Sequence, residues 1–174
     1  MLEIKNIVNR VINGIPKKEY WVQMQMQMET CDLDECDFLE TQFLEYESEE
    51  AFLQDKEDKD KEDEERRFIK TASGEWKGII LYFSKDGVPY YIYKPLLMGK
   101  EEYDEWSENQ IEEQEKAGRM WVYTIYWRLK TFSCVFVPRN RIWFERNRHI
   151  LESLWRTVEH ERETGNYEHR KPVK

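Results

Sequence analysis

The sequence predicts a mixed α/β fold, because strand-type and helix-type patterns alternate along its 174 residues. Three observations carry this prediction. Residues 36–44 alternate apolar and polar side chains with the period of two that a half-buried strand shows. The dipeptide Asp86-Gly87 separates two aliphatic and aromatic segments, which is a strong hairpin signal. Residues 139–163 carry apolar side chains at helical spacing and form the best helix candidate.

The first part of the chain predicts a strand, a helix and the strand at 36–44. Residues 2–8 form a short apolar strand-like run, and Pro16 suits the first turn of a helix. The segment 21–28 is ambiguous, because its Gln and Met residues alternate as in a strand. Both are good helix formers and weak strand formers, so we expect a helix. One face of that helix carries Tyr20, Gln23, Met24 and Gln27.

The middle of the chain predicts a charged insertion followed by the hairpin. Residues 47–67 are expected to form a solvated helix or a disordered insertion, since they mix acidic and basic side chains. Strands are expected at 78–83 and 88–94, and an acidic helix at 101–116.

The last part predicts two strands and a long helix. The strands are expected at 120–129 and 131–137, and the helix at 139–163. We expect a single domain over 1–165 and a polar, frayed tail over 166–174. The buried side of the long helix is expected to use Ile142, Phe144, Ile150, Leu151, Leu154, Trp155 and Val158.

The net charge of −9 argues mildly against a nucleic-acid partner, because such proteins usually carry a basic excess. Residues 47–67 hold 11 acidic and 5 basic side chains, a net charge of −6, which leaves only −3 on the remaining chain. The objection to DNA binding is therefore weaker outside this insertion.

We expect a soluble intracellular protein with reduced thiols. The sequence has neither a membrane-spanning run nor a secretory signal, and it has three cysteines. Cys31 and Cys36 lack a second pair for zinc, so we interpret them as buried thiols. Cys134 is the third thiol. The chain has three histidines, which we expect to lie on the surface: His149, His160 and His169.

Glu3 and Lys5 lie two residues apart on the first predicted strand, so their side chains should point to the same face. A carboxylate beside an ammonium group suits a divalent cation and a polarised water molecule. The alternative is a surface ion pair, which any exposed strand can carry.

The surrounding sequence resembles the YqaJ-type viral recombinase family, which includes the phage lambda exonuclease and belongs to the PD-(D/E)XK nucleases. The resemblance rests on Leu2-Glu3-Ile4-Lys5, on the segments 14–28 and 36–38, and on Val137-Pro138-Arg139-Asn140 before the last helix. The run 23–31 is similar to members from large double-stranded DNA viruses. The resemblance implies a restriction-endonuclease-like core, with a mixed sheet flanked by helices.

The resemblance also implies a function, namely metal-dependent exonucleolytic digestion of linear double-stranded DNA in viral recombination or replication. It places Mg²⁺ or Mn²⁺ on the Glu3 carboxylate and the Ile4 carbonyl, and it gives Lys5 the role of polarising the attacking water. Gln23 would lie beside the scissile phosphate, with Tyr20 as its neighbour. The implied partners are double-stranded DNA ends, a single-strand annealing protein and further copies of the chain.

The family pattern includes a metal-binding aspartate upstream of Glu3, and this sequence starts at Met1. We therefore expect the chain to lack the N-terminal part of the core, to place its first strand at a sheet edge, and to be weakly active or inactive alone. The alternatives are a catalytically dead DNA-binding or assembly subunit and an inert fragment. Four arginines lie at the start of the last predicted helix and are candidate phosphate contacts: Arg139, Arg141, Arg146 and Arg148. The alternative is that they form a solvated helix face.

Overall fold

The structure is a computed structural model that describes residues 1–55 and 68–170. It is a mixed α/β structure with a five-stranded mixed sheet, and four α-helices lie in the described residues. The strand order in the sheet is β1-β2-β5-β3-β4. The strands are β1 (Leu2–Asn6), β2 (Glu35–Glu45), β3 (Lys77–Lys85), β4 (Val88–Tyr93) and β5 (Met120–Pro138).

The helices are α1 (Lys18–Thr30), α2 (Glu49–Gln54), α3 (Lys100–Lys116) and α4 (Arg141–Thr164). The helical interpretation of the Gln–Met segment is confirmed by α1, and the helix predicted at 101–116 is confirmed by α3. Strand alternation was a poor guide in α1, because the propensities of Gln and Met favour the helix.

The hairpin prediction is confirmed by β3 and β4, which pair antiparallel around Asp86 and Gly87. Both turn residues have positive φ, at 52° and 78°, as the two central residues of a type I′ turn require. The prediction of two strands at 120–129 and 131–137 is wrong, since β5 is one 19-residue strand. The strand continues through Lys130 and Thr131, because neither residue is a turn former.

Strand directions follow from hydrogen bonds near the ends of each pair. The Met1 amino group donates to the Glu35 carbonyl at 2.8 Å, and Ile7 N–H donates to the Thr41 carbonyl at 2.7 Å, so β1 and β2 run parallel. The connection from β1 through α1 to β2 is thus a β-α-β unit. As expected, β1 is an edge strand.

The described chain divides into two compact units, and the expectation of a single domain over 1–165 stays a prediction. The first unit contains Met1–Glu3, Gly14–Phe38 and the chain from Cys134 onward. Its core is a cluster on α1, β2 and the end of β5, formed by Met24, Met28, Cys36, Phe38 and Val137.

The second unit contains Ile4–Asn13 and Leu39–Ser133. Phe52 of α2 is fully buried there, so the predicted charged insertion starts with a core helix rather than a solvated one. The rest of that insertion, residues 56–67, lies outside the described residues. The core of this unit is formed by Phe52, Phe68, Ile79, Leu81, Phe83 and Tyr103.

The apolar face of α4 differs most from the sequence prediction. No residue of this helix is buried, and five of the seven expected core residues are exposed. The helix packs against α1 near its start, where Trp143 meets Trp21 edge to face at 5.1 Å. The prediction of a buried side along the whole helix is therefore wrong, because amphipathic spacing does not supply a packing partner.

Candidate functional site

The Glu3 carboxylate accepts hydrogen bonds from two glutamine side chains of α1. Gln23 Nε2 donates to Glu3 Oε1 at 3.0 Å, and Gln27 Nε2 donates to Glu3 Oε2 at 3.3 Å. The two glutamines are one helical turn apart, so they reach β1 from one face of α1. This arrangement holds the carboxylate in one orientation.

The rotation of α1 is set by its methionines. Met24 and Met28 are fully buried against Cys36 and Phe38 of β2, next to the glutamines along the helix. Methionine fills irregular gaps well, which suits it to packing a helix on a sheet. The hydrophobic contact therefore aims the glutamines at β1. Burial also raises the pKa of the Cys36 thiol, so this cysteine is an inert core residue.

The pattern of exposure along β1 supports the predicted alternation. Glu3 and Lys5 are half-buried, whereas Leu2 is 57% exposed and Ile4 is 52% exposed. The acid and the lysine thus share one face of the strand. Tyr20 lies in the first turn of α1. The centre of its ring is 5.9 Å from that of Phe38, and the ring packs on the core of the first unit.

Arg139 is held by carboxylates of its own chain. Its side chain is only 6% exposed, and it donates to Glu29 at 2.9 Å and to Asp32 at 2.8 Å. These hydrogen bonds lower the pKa of both carboxyl groups. Arg139 therefore joins the end of β5 to the end of α1, and we exclude it from the candidate DNA contacts.

The other three candidate arginines lie on α4 and are exposed. Arg141 donates to Asp34 at 3.0 Å, and Arg148 donates to Glu152 at 3.0 Å. Within the described residues, Arg146 has no carboxylate partner. Two of these three arginines thus have local partners, which favours the solvated-face interpretation over phosphate binding.

A divalent cation site is not complete in the described residues. They contain no group of three or more histidine, cysteine, aspartate or glutamate side chains that could hold a metal ion. The ligands that the resemblance implies are the Glu3 carboxylate and the Ile4 carbonyl. Both oxygens of Glu3 already accept hydrogen bonds from amide N–H groups. Mg²⁺ binds well where several oxygen ligands converge, so these residues alone do not fit it.

The sequence did not predict the burial of two polar residues, Gln25 in the first unit and Glu40 in the second. Gln25 is 1% exposed, accepts a hydrogen bond from Asn140 N–H at 2.6 Å and donates to the Pro138 carbonyl at 3.0 Å. Its sequence signal was a polar residue next to the core methionine Met24.

In the second unit, Glu40 is 1% exposed and forms an ion pair with Arg10. Its other oxygen, Oε2, is buried without a hydrogen-bond partner in the described part of the chain. Its signal was an acid in phase with Cys36 and Phe38 on β2.

The cysteine interpretation is confirmed in part. Cys36 is buried, but Cys31 is exposed at the end of α1, so the prediction of a buried thiol is wrong there. Cys134 is exposed as well. Among the described helices, none is long and apolar enough to cross a membrane.

No family model and no curated protein matches this chain. The YqaJ-type assignment therefore stays a prediction from the residues quoted above. The viral origin and the annealing partner are predictions of the same kind.

Proposed function

We propose that this chain is of the DNA-nuclease type, with Glu3, Lys5 and Gln23 as part of the reaction centre and linear duplex DNA as the substrate. The observation that carries the proposal is the pair of amide hydrogen bonds from Gln23 and Gln27 to Glu3. A half-buried carboxylate is costly to desolvate, so two side chains dedicated to orienting it point to a chemical role.

The parallel β1–α1–β2 unit supports the proposal further. It places an acid and a lysine on one face of a strand, and the following helix sends a glutamine to the acid. In phosphodiester hydrolysis, an ammonium group can polarise the attacking water, which is the role proposed for Lys5. Glu3 and the Ile4 carbonyl are the proposed ligands of a divalent cation, which would need further oxygen ligands besides these two groups. When bound, such a cation would offset the negative charge on the phosphate. Tyr20 is a supporting neighbour.

The incomplete ligand set favours a second candidate, a DNA-binding or assembly subunit without catalysis. The observation behind it is that the described residues contain no group of three or more histidine, cysteine, aspartate or glutamate side chains that could hold a metal ion. We therefore expect low nuclease activity from the chain alone. Cleavage and binding must be measured separately to distinguish the two candidates.

The test is degradation of end-labelled linear duplex DNA by the purified 174-residue chain at high enzyme concentration, with Mg²⁺ or with EDTA. We expect slow, Mg²⁺-dependent cleavage that falls about 100-fold or more in Glu3→Gln and in Lys5→Ala, because each removes a group acting on the reacting atoms. The matched controls are Glu45→Gln and Lys85→Ala, which change exposed residues of other strands.

Cleavage that persists in Glu3→Gln and Lys5→Ala would remove both residues from the site. Salt-dependent binding to duplex ends without any cleavage would support the second candidate. A chain that neither binds nor cleaves duplex DNA would contradict both.

A further inference from the structure

The exposed apolar side chains of α4 are concentrated in its central turns. Ile150 is 55% exposed, Leu154 is 61% exposed and Trp155 is 56% exposed. With Met26 of α1 and Val158, the last two line an open groove of 470 Å³ in the first unit. An apolar stripe of this kind on a 24-residue helix marks an interaction surface.

The charges of α4 change sign from one end to the other. Residues 141–149 contain three arginines and one glutamate, a net charge of +2. Residues 150–158 contain one of each, a net charge of zero, and residues 159–164 contain three glutamates and one arginine, a net charge of −2. The neutral part holds four of the five exposed apolar side chains of α4, and the fifth, Ile142, lies in the basic part.

This charge order is unfavourable for the helix by itself. The helix macrodipole is positive at the N-terminus and negative at the C-terminus, so basic residues at the start and acidic residues at the end oppose it. Intrahelical stability therefore does not explain the order. A partner with the opposite order of charge would complement it.

We propose that the partner is a second copy of this chain, with the two α4 helices packed antiparallel about a two-fold axis. In an antiparallel pair, the +2 end of each helix lies over the −2 end of the other, and the apolar centres meet. The surface is then self-complementary, as an isologous interface requires.

The register follows from the positions of the charged residues. The midpoint between Arg146 and Glu161 lies between Ser153 and Leu154, and the midpoint between Arg148 and Glu159 is the same. Relative to the middle of the apolar stripe, Arg146 and Glu161 lie toward one side, with Glu161 in line with Leu154, and Arg148 and Glu159 lie on the other side. A single antiparallel register therefore pairs both arginines across the two flanks of the seam.

The existing partners of these groups differ in strength. Arg148 is paired with Glu152, and both side chains are at least half exposed, so this pair contributes little to stability and can be exchanged when two copies associate. Glu161 is 14% exposed and accepts hydrogen bonds from Arg170 on both carboxylate oxygens, so it would be shared between Arg170 and the second copy rather than released.

The experiment is sedimentation velocity of the full chain over a concentration series, with circular dichroism to confirm folding. We expect a monomer–dimer equilibrium whose Kd rises tenfold or more in Leu154→Glu, since the substitution places unpaired charges at the apolar centre. The matched control is Leu97→Glu, at an exposed leucine of the second unit, which we expect to change Kd less than twofold. A wild-type chain that stays monomeric, or an equal effect of both variants, would overturn the proposal.

A charge exchange tests the orientation. Arg146→Glu should raise Kd, and adding Glu161→Arg should restore it, because each of the two symmetric contacts regains opposite charges. Failure of the double variant to recover would overturn the antiparallel arrangement, since residues 146 and 161 lie far apart in a parallel pair.

Discussion

The buried amine of Lys77 makes the stability of the second unit depend on pH. Lys77 is fully buried on β3, and its Nζ donates to the Phe52 carbonyl at 2.6 Å and to the Asp55 carbonyl at 2.8 Å. Burial lowers its pKa from 10.5 to about 8, against a smaller opposing effect of the Asp55 carboxylate. At 1.36 kcal/mol per pKa unit, the shift corresponds to about 3 kcal/mol.

The direction of the pH dependence follows from proton binding. Between pH 8 and 10.5, the amine is protonated in the unfolded chain and neutral in the folded one. The free energy of unfolding therefore rises with pH in this interval, by at most about 1.4 kcal/mol per pH unit, and the slope that Lys77 contributes fades as the pH falls below 8. Near pH 10 and above, Tyr103 acts in the opposite direction, because burial raises its pKa to about 12.

The perturbation is Lys77→Met, and the assay is urea unfolding of both proteins at half-unit steps from pH 7.5 to 10. The free energy of unfolding of the wild type minus that of Lys77→Met, taken at each pH, isolates the contribution of Lys77. The raised pKa values of Tyr103 and Cys36 affect both proteins alike and cancel in this difference. We expect that difference to rise with pH by about 2–3 kcal/mol over the interval. The loss of a donor to two carbonyls shifts the Met variant by a constant and leaves the slope of the difference intact.

Lys85→Met is the matched control, because it removes a lysine at the exposed end of the same strand. It should leave the slope between pH 8 and 10 as in the wild type. Parallel pH profiles for the wild type and Lys77→Met would refute the reasoning, since they would show that the amine titrates alike in the folded and unfolded chains.

Two further substitutions test the packing of each unit by urea unfolding. Gly78→Ala should destabilise the protein by about 1–3 kcal/mol, because the new Cβ would lie 2.6 Å from Trp127 Cζ2 on the paired strand; unchanged stability would show that this ring moves freely. Gln25→Leu should cost about 1–3 kcal/mol, because the Pro138 carbonyl and the Asn140 N–H lose their buried partner; a neutral result would mean that solvent satisfies both groups.

Much of the local structure could be predicted from the sequence. The hairpin followed from Asp86-Gly87, and α1 followed from the helix propensity of Gln and Met. The alternation of side chains on β1 placed Glu3 and Lys5 on one face. These features depend on neighbouring residues only, so the pattern of a single chain segment contains them.

The contacts at the site depended on tertiary structure. The sequence put Gln23 and Gln27 on one helix face, but only the packing of Met24 and Met28 showed that this face meets Glu3. The four candidate arginines could not be sorted by sequence either. Arg139 is held by carboxylates about 110 residues away in the chain, a separation that no local pattern reports.

By itself, the sequence determined the alternation of strands and helices, the amphipathic character of α4 and its charge order, because each is a property of consecutive residues. Tertiary structure decided which apolar faces are covered. It buried Phe52 within a run that looked solvated, and it left Leu154 and Trp155 of α4 exposed. The physical reason is that burial depends on the partner surface as well as on the segment, and periodicity describes only the segment.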